Sequence, residues 1–285
     1  MELLSKAVPV TLLIFVVSSM LAVGLSLSVS EILAPLRNGR LVSLALLANF
    51  VLMPLGALGI ARLLNLDEPL GIALVLLGAA AGSPLLPKLV AIAKCDTAFG
   101  VGLMLLLMIV TVVYMPLVLP LLLKSVSVHP MRIARSLILL MLLPLGLGLA
   151  VKARFGLVAE RAGAFLNRIS TLSLALLSVL LVATNIRNVI GLFGTRGIGA
   201  SILLVLSGCA LGWLFGGPDL GTKGSLLLGT AQRNIGAALV VGGDDLHDPK
   251  VMVMLVVAAM IGLLILLPLT RTLPKQSSKS IGKLH

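Results

Sequence analysis

Nine apolar runs, each about long enough to cross a bilayer, constrain this chain more than any other feature. They lie near residues 8–28, 40–64, 69–93, 97–123, 132–152, 166–190, 198–217, 222–243 and 250–273. A helix needs about 20 such residues to span the hydrocarbon core. Backbone groups in lipid must be satisfied within the segment, so helices follow from these runs. The expected fold class is an all-α polytopic membrane protein with nine transmembrane helices. Composition agrees: the 285 residues are 59% hydrophobic and 11% charged, where a soluble domain carries roughly a quarter charged residues. No loop is long enough for a soluble domain, so 1–285 reads as one membrane domain. Lys6 before an apolar run resembles a signal peptide, but no cleavage site follows, and the run reads as the first spanning helix.

Charge sets the expected orientation. The net +12 belongs in loops facing the cytoplasm and gives no reason to expect nucleic acid. The side that holds the C-terminus collects twelve basic residues, among them Arg37, Arg40, Lys94, Lys152, Arg154, Arg161, Lys223 and Arg271. Eight fall on the other side, which also holds Asp67, Glu68, Asp244, Asp245 and Asp248. This places the N-terminus outside and the C-terminus in the cytoplasm, in the plasma (inner) membrane. The tail 274–285 is basic and polar, hence disordered and cytoplasmic.

Two basic residues, Lys88 and Arg233, belong to neither side, because each falls inside a spanning run. An arginine at membrane depth costs about 2.5 kcal/mol or more. Both runs are also interrupted. Gly82, Pro84 and Pro87 break the third, and Gly229 and Gly236 flank Gln232, Arg233 and Asn234 in the eighth. Unwound backbone survives there only where protein or water satisfies it. The two broken helices are five apart, and an odd offset inverts the second copy. The pattern is an inverted repeat, with 8–123 as a first copy lacking its leading helix and 132–273 as the second. Transporters place substrate where two such helices meet.

These residues resemble the bile acid:sodium symporter family. Met20–Leu25 is similar to its opening membrane motif, and Asn49-Phe50-Val51-Leu52-Met53-Pro54 to its Gln-Phe-x-x-Met-Pro stretch. The broken third helix with the Lys94-Cys95-Asp96 turn resembles its first crossover, and Gly229–Leu239 its second. The resemblance implies panel and core domains, two crossover helices in the core, two sodium ions behind the crossing, and an organic anion bound between the domains. It also exposes departures. The family's Ser-Asn sodium ligands fall on Pro87 and Lys88, and its hydroxyl ligands near Gly100 and Met104. Its carboxylate falls near Leu227, and its Gln-Asn pair becomes Gln232-Arg233-Asn234. Neither sodium site is therefore expected to survive, and Lys88 and Arg233 read as fixed positive charge in place of the ions.

The expected activity is secondary transport of small organic anions, possible without sodium; a sodium-coupled symporter with altered sites, an anion channel and an exporter remain alternatives. Candidate site residues are Asn49, Ser83, Lys88, Gln232, Arg233 and Asn234. Each has a plainer reading. Arg233 can brace carbonyls, Lys88 can snorkel toward the face where Lys94 lies, Asn49 can bridge helices, and Ser83 can cap backbone. Thr184 and Asn185 read as interfacial. The aspartates Asp244, Asp245 and Asp248 sit in a loop too short for a calcium ligand set. Cys95 and Cys209 support neither a disulfide framework nor a metal site. Cys95 also lies past the break where an arsenite carrier would need its thiol. No nucleophile–base pair or metal cluster points to an enzyme, and no cofactor is implied. The expected partners are a small organic anion and the lipid bilayer.

Overall fold

A computed structural model describes residues 2–26, 38–123, 129–184, 186–192, 194–243 and 248–273. Asn185, Asp244, Asp245 and the tail 274–285 lie outside them. Every regular element among the described residues is helical, and seven helices are long and apolar enough to cross a membrane. In order, the elements are α1 (Glu2–Ser26), α2 (Gly39–Leu47), α3 (Met53–Leu63), α4 (Glu68–Ala79), α5 (Leu86–Ala93), α6 (Thr97–Leu122), α7 (Pro130–Leu137) and α8 (Leu143–Arg154). They continue as α9 (Gly156–Thr184), α10 (Ile186–Leu192), α11 (Gly197–Phe215), α12 (Leu220–Ala231), α13 (Ile235–Val241) and α14 (Pro249–Thr272).

Two of the spans pass through a π-turn, Ala48–Leu52 between α2 and α3, and Ile138–Leu142 between α7 and α8. Each turn runs up to a Leu/Met-Pro-Leu-Gly sequence, with Pro54 in one and Pro144 in the other. A proline lacks the amide donor and crowds the carbonyl four residues back. Widening the preceding turn relieves that crowding without breaking the span.

The helices gather into two groups. In the smaller, α1 packs along α8 and α9. The approach is closest at Gly24 and Gly148, where a Cβ on either would lie 2.9 Å from the other's Cα. The larger group holds α3 to α6 and α11 to α14. Its tightest pair is α11 with α12, where Gly208, Gly212 and Gly216 recur every four residues. A Cβ on Gly208 would lie 2.6 Å from the Cα of Ala231, so small residues here let two backbones meet without lipid between them.

The third and eighth runs are each two short helices instead of one. α4 ends at Ala79 and α5 begins at Leu86; α12 ends at Ala231 and α13 begins at Ile235. The breaks differ in detail from expectation. Gly82 sits in the first with φ +80°, a conformation glycine adopts freely, whereas Pro87 lies in the first turn of α5, where its missing amide is harmless. In the second, Gly229 and Gly236 lie inside helices, and the polar triplet itself forms the break. Gly229 is small because Leu103 of α6 packs over it, 2.8 Å from where a Cβ would stand.

The sixth span departs most from the sequence reading. α9 starts at Gly156, ten residues before the apolar run at 166. Glu160 and Arg161 make that stretch read as loop, but both lie along the helix, with Glu160 paired to Lys152 of α8 at 3.4 Å.

Candidate functional site

The two breaks meet. The Asn234 amide donates to the Ala80 carbonyl at 2.9 Å, and the Asn234 side-chain amide donates to the Gly82 carbonyl at 3.0 Å. The Asn234 Oδ1 meanwhile accepts from the Ala237 amide at 3.1 Å, capping α13. One asparagine thus closes a helix start and satisfies two carbonyls of the other break. On the far side of the first break, the Thr111 hydroxyl of α6 donates to the Ala81 carbonyl and accepts from the Ala81 amide, both at 3.0 Å. Buried backbone polar groups need such partners.

Arg233 stands beside this junction, 6% exposed. Its Nε donates to the Leu77 carbonyl at 2.9 Å and one terminal nitrogen to the Gly78 carbonyl at 2.6 Å. The other terminal nitrogen donates to Asn49 Oδ1 at 2.7 Å and to the Thr230 carbonyl at 3.1 Å. Leu77 and Gly78 belong to the last turn of α4, and Thr230 to the last turn of α12. The last four carbonyls of any helix lack internal partners, and they carry the negative end of its dipole. Two such ends converge on one guanidinium. Asn49, wholly buried in the first π-turn, completes the shell, and its amide donates to Ala45 O at 3.0 Å and Thr230 Oγ1 at 3.2 Å.

The third contact between the interrupted segments lies at their other ends. The Asp96 amide donates to the Gly221 carbonyl at 3.2 Å, and the Ser225 hydroxyl donates to the Asp96 carbonyl at 2.8 Å. Asp96 also caps α6 through Phe99 at 2.9 Å.

Lys88 is elsewhere. It projects from the first turns of α5 into a cavity of about 510 Å³ between the two helix groups. It is exposed there, and its Nζ donates to Asn167 Oδ1 of α9 at 3.1 Å, bridging the groups. The cavity walls mix apolar Phe15, Met104, Leu174 and Ile235 with the hydroxyls of Ser19, Ser83, Ser170 and Thr171. Lys152 and Glu160 also line it, already paired with each other. Lys88 is therefore the one lysine or arginine lining this cavity, among the described residues, with no acidic partner. The volume falls in the range of pockets that enclose small ligands, about 300–1,000 Å³.

The six candidate residues thus divide by place. Asn49, Arg233 and Asn234 form the network at the breaks; Ser83 and Lys88 line the cavity; Gln232 faces a separate space behind the junction. Sequence reasoning passed over Thr111, Thr230 and Asn167. Thr111 and Thr230 had a usable signal, as hydroxyls inside otherwise apolar runs, and Asn167 had none, since it sits among charges at the start of one.

Residues 11–192, well over half of the chain, match the model of a family described as the sodium bile acid symporter family. The match ends before α11, so Arg233 and the second break lie beyond it. No curated protein matches the chain significantly.

Proposed function

The chain belongs to the sodium bile acid symporter family, and on that premise we propose that it is a secondary transporter of small organic anions that works without bound sodium. Substrate binds in the cavity between the two helix groups, with Lys88 supplying the charge and Ser83 among the polar groups of the wall. Nine spans, the third and eighth crossing at their breaks, form an inverted repeat of 8–123 and 132–273. The three-helix group of α1, the α7–α8 span and α9 acts as the panel, the larger group as the core. The N-terminus faces outward and the C-terminus the cytoplasm.

One observation carries the sodium-independent reading. The acceptors that converge at the breaks, namely Asn49 Oδ1 and the carbonyls of Leu77, Gly78 and Thr230, already receive hydrogen bonds from Arg233. Helix C-termini attract cations, and here the chain brings its own. Lys88, exposed and bonded to a neutral amide, remains able to meet an anion.

The test is uptake of labelled organic anions into proteoliposomes, with sodium and pH gradients imposed separately and the membrane potential clamped. Saturable flux stimulated by counter-substrate is expected, unchanged when choline replaces sodium. Lys88→Gln should abolish or strongly reduce flux while leaving the melting temperature alone, because the side chain is exposed. Flux that requires sodium at clamped potential would overturn the sodium-independent reading, and non-saturable flux would favour a channel.

A further inference from the structure

One face of α9 forms a wall of the large cavity. Glu160, Ala164, Asn167, Thr171 and Leu174 all line it, at steps of four and three that stack on a single side of a helix. Two lysines from other elements meet that face. Lys88 of α5 donates to Asn167 Oδ1 at 3.1 Å, and Lys152 of α8 stands 3.4 Å from Glu160 Oε1. Asn167 and Glu160 lie two turns apart on α9, about 10 Å along its axis. The cavity therefore meets two ammonium groups, one held by a neutral amide and one by a carboxylate.

No other lysine, arginine, aspartate or glutamate among the described residues lines this cavity. Arg161 and Arg168 each follow a lining residue, which puts them about 100° round the helix from it. The lining charge is thus two positive and one negative. A monoanion at Lys88 brings the sum to zero. A dianion leaves a negative charge uncompensated near the Glu160 carboxylate, or must draw Lys152 away from it, and either cost falls on the dianion alone. The pair is open to solvent, with the Lys152 side chain 23% exposed and that of Glu160 69%. Such exposure makes it worth little as a tether between α8 and α9, and leaves it within reach of a solute.

We propose that the Lys152–Glu160 pair sets the valence of the substrate, restricting the cavity to singly charged anions by occupying its second lysine. This restriction rests on the reading of the cavity as an organic-anion site and names the class of anion. The substrate is a monoanion with an apolar body, its charge at Lys88 and its body against Phe15, Leu174 and Ile235.

Proteoliposome uptake of a labelled alkane sulfonate and of the α,ω-disulfonate of the same chain length tests it, since both stay ionised at neutral pH. Wild type is expected to carry the monosulfonate and to discriminate against the disulfonate. Glu160→Gln frees Lys152 and should raise the disulfonate-to-monosulfonate ratio of initial rates roughly fivefold, the factor that one unit charge in contact gives in water-like surroundings. The gain should peak for disulfonates whose charges stand about 10 Å apart. Lys152→Gln leaves Glu160 unpaired and should raise the KM for the monosulfonate. The double variant, Lys152→Gln with Glu160→Gln, restores the net charge and should return the ratio to its wild-type value. A pair that only held α8 to α9 would lower the melting temperature in all three variants and leave the ratio unmoved. That result, or wild type carrying both sulfonates equally well, would overturn the valence rule while leaving the anion site in place. Wild type that carries neither saturably would overturn both. If either single variant fails to fold, the other and the double variant decide.

Discussion

Replacing Arg233 by alanine tests the claim that a fixed guanidinium holds the two breaks together. The side chain makes four hydrogen bonds, to Leu77 O, Gly78 O, Asn49 Oδ1 and Thr230 O, all within a buried shell. An acceptor left unmet in such a place costs about 1–3 kcal/mol. Four of them give about 4–12 kcal/mol before any water enters, against a total stability of about 5–15 kcal/mol for a typical folded protein. Arg233→Ala is therefore expected to accumulate poorly in membranes, or to melt far below wild type when purified. Arg233→Lys keeps the charge but has three donors where four acceptors wait, so it should fall between.

Sodium makes the experiment sharper. Without the guanidinium, four oxygens face one another at two helix C-termini, an arrangement suited to a cation. Sodium at about a hundred times its dissociation constant would return about 2.7 kcal/mol. The variant's melting temperature should rise with sodium chloride more than with choline chloride, and wild type should respond equally to both salts. A wild-type melting temperature for Arg233→Ala would refute the structural argument. A sodium-specific rise in wild type would refute the claim that arginine occupies the ion's place.

Three further substitutions or treatments probe neighbouring parts. Gly82→Ala places a side chain at φ +80° and drives its Cβ into the Met108 backbone; it should prevent monodisperse purification, read by size-exclusion chromatography. Thr111→Val keeps shape but leaves the Ala81 amide and carbonyl both unmet, so a loss of about 2–6 kcal/mol is expected in chemical denaturation, at about 1–3 for each group. Cys95 sits in the turn before α6, where burial, with Asp219 and Asp96 nearby, pushes its thiol above the usual cysteine range. The thiolate is the reactive form, so in a Cys209→Ser background maleimide labelling should be slow at neutral pH and keep rising where an exposed thiol has levelled off.

The membrane class and the positions of the breaks were legible because they depend on local chemistry. Runs of twenty apolar residues, a Gly-Ser-Pro at 82–84 and three polar residues amid leucines announce themselves in any order of folding. What could not be read was which groups answer which. Arg233 bonds to three residues more than 150 positions away, and two of those three partners are backbone carbonyls, which no residue letter marks. Lys88 and Arg233 looked equivalent because both are cations in broken spans. Their environments differ because Arg233 is in its break, while Lys88 follows Pro87 on α5, where the side chain emerges into the cavity. The start of α9 was hidden for the opposite reason. Its first turns carry charges that mimic a loop, yet the backbone is helical from Gly156 on, and Glu160 there pairs with Lys152 of α8.

The consequence of an internal cation is thermodynamic. A bound sodium ion adds its own gradient to the substrate's, whereas a charge on the chain returns with the empty carrier and contributes no gradient. On the proposed reading, a monoanion entering a negative cytoplasm works against about 2.3 kcal/mol per 100 mV, roughly a fifty-fold concentration ratio at 1.4 kcal/mol per factor of ten. Arg233 cannot offset that, since hydrogen bonds to four groups of the core keep it there. Lys88 can neutralise the anion during crossing, but only if it crosses too, and then the empty carrier must bring the charge back. Net uptake thus requires a proton or an exchanged anion, and with neither the potential drives the anion outward. A single arginine where an ion would sit therefore bears on the direction of transport as well as on stability.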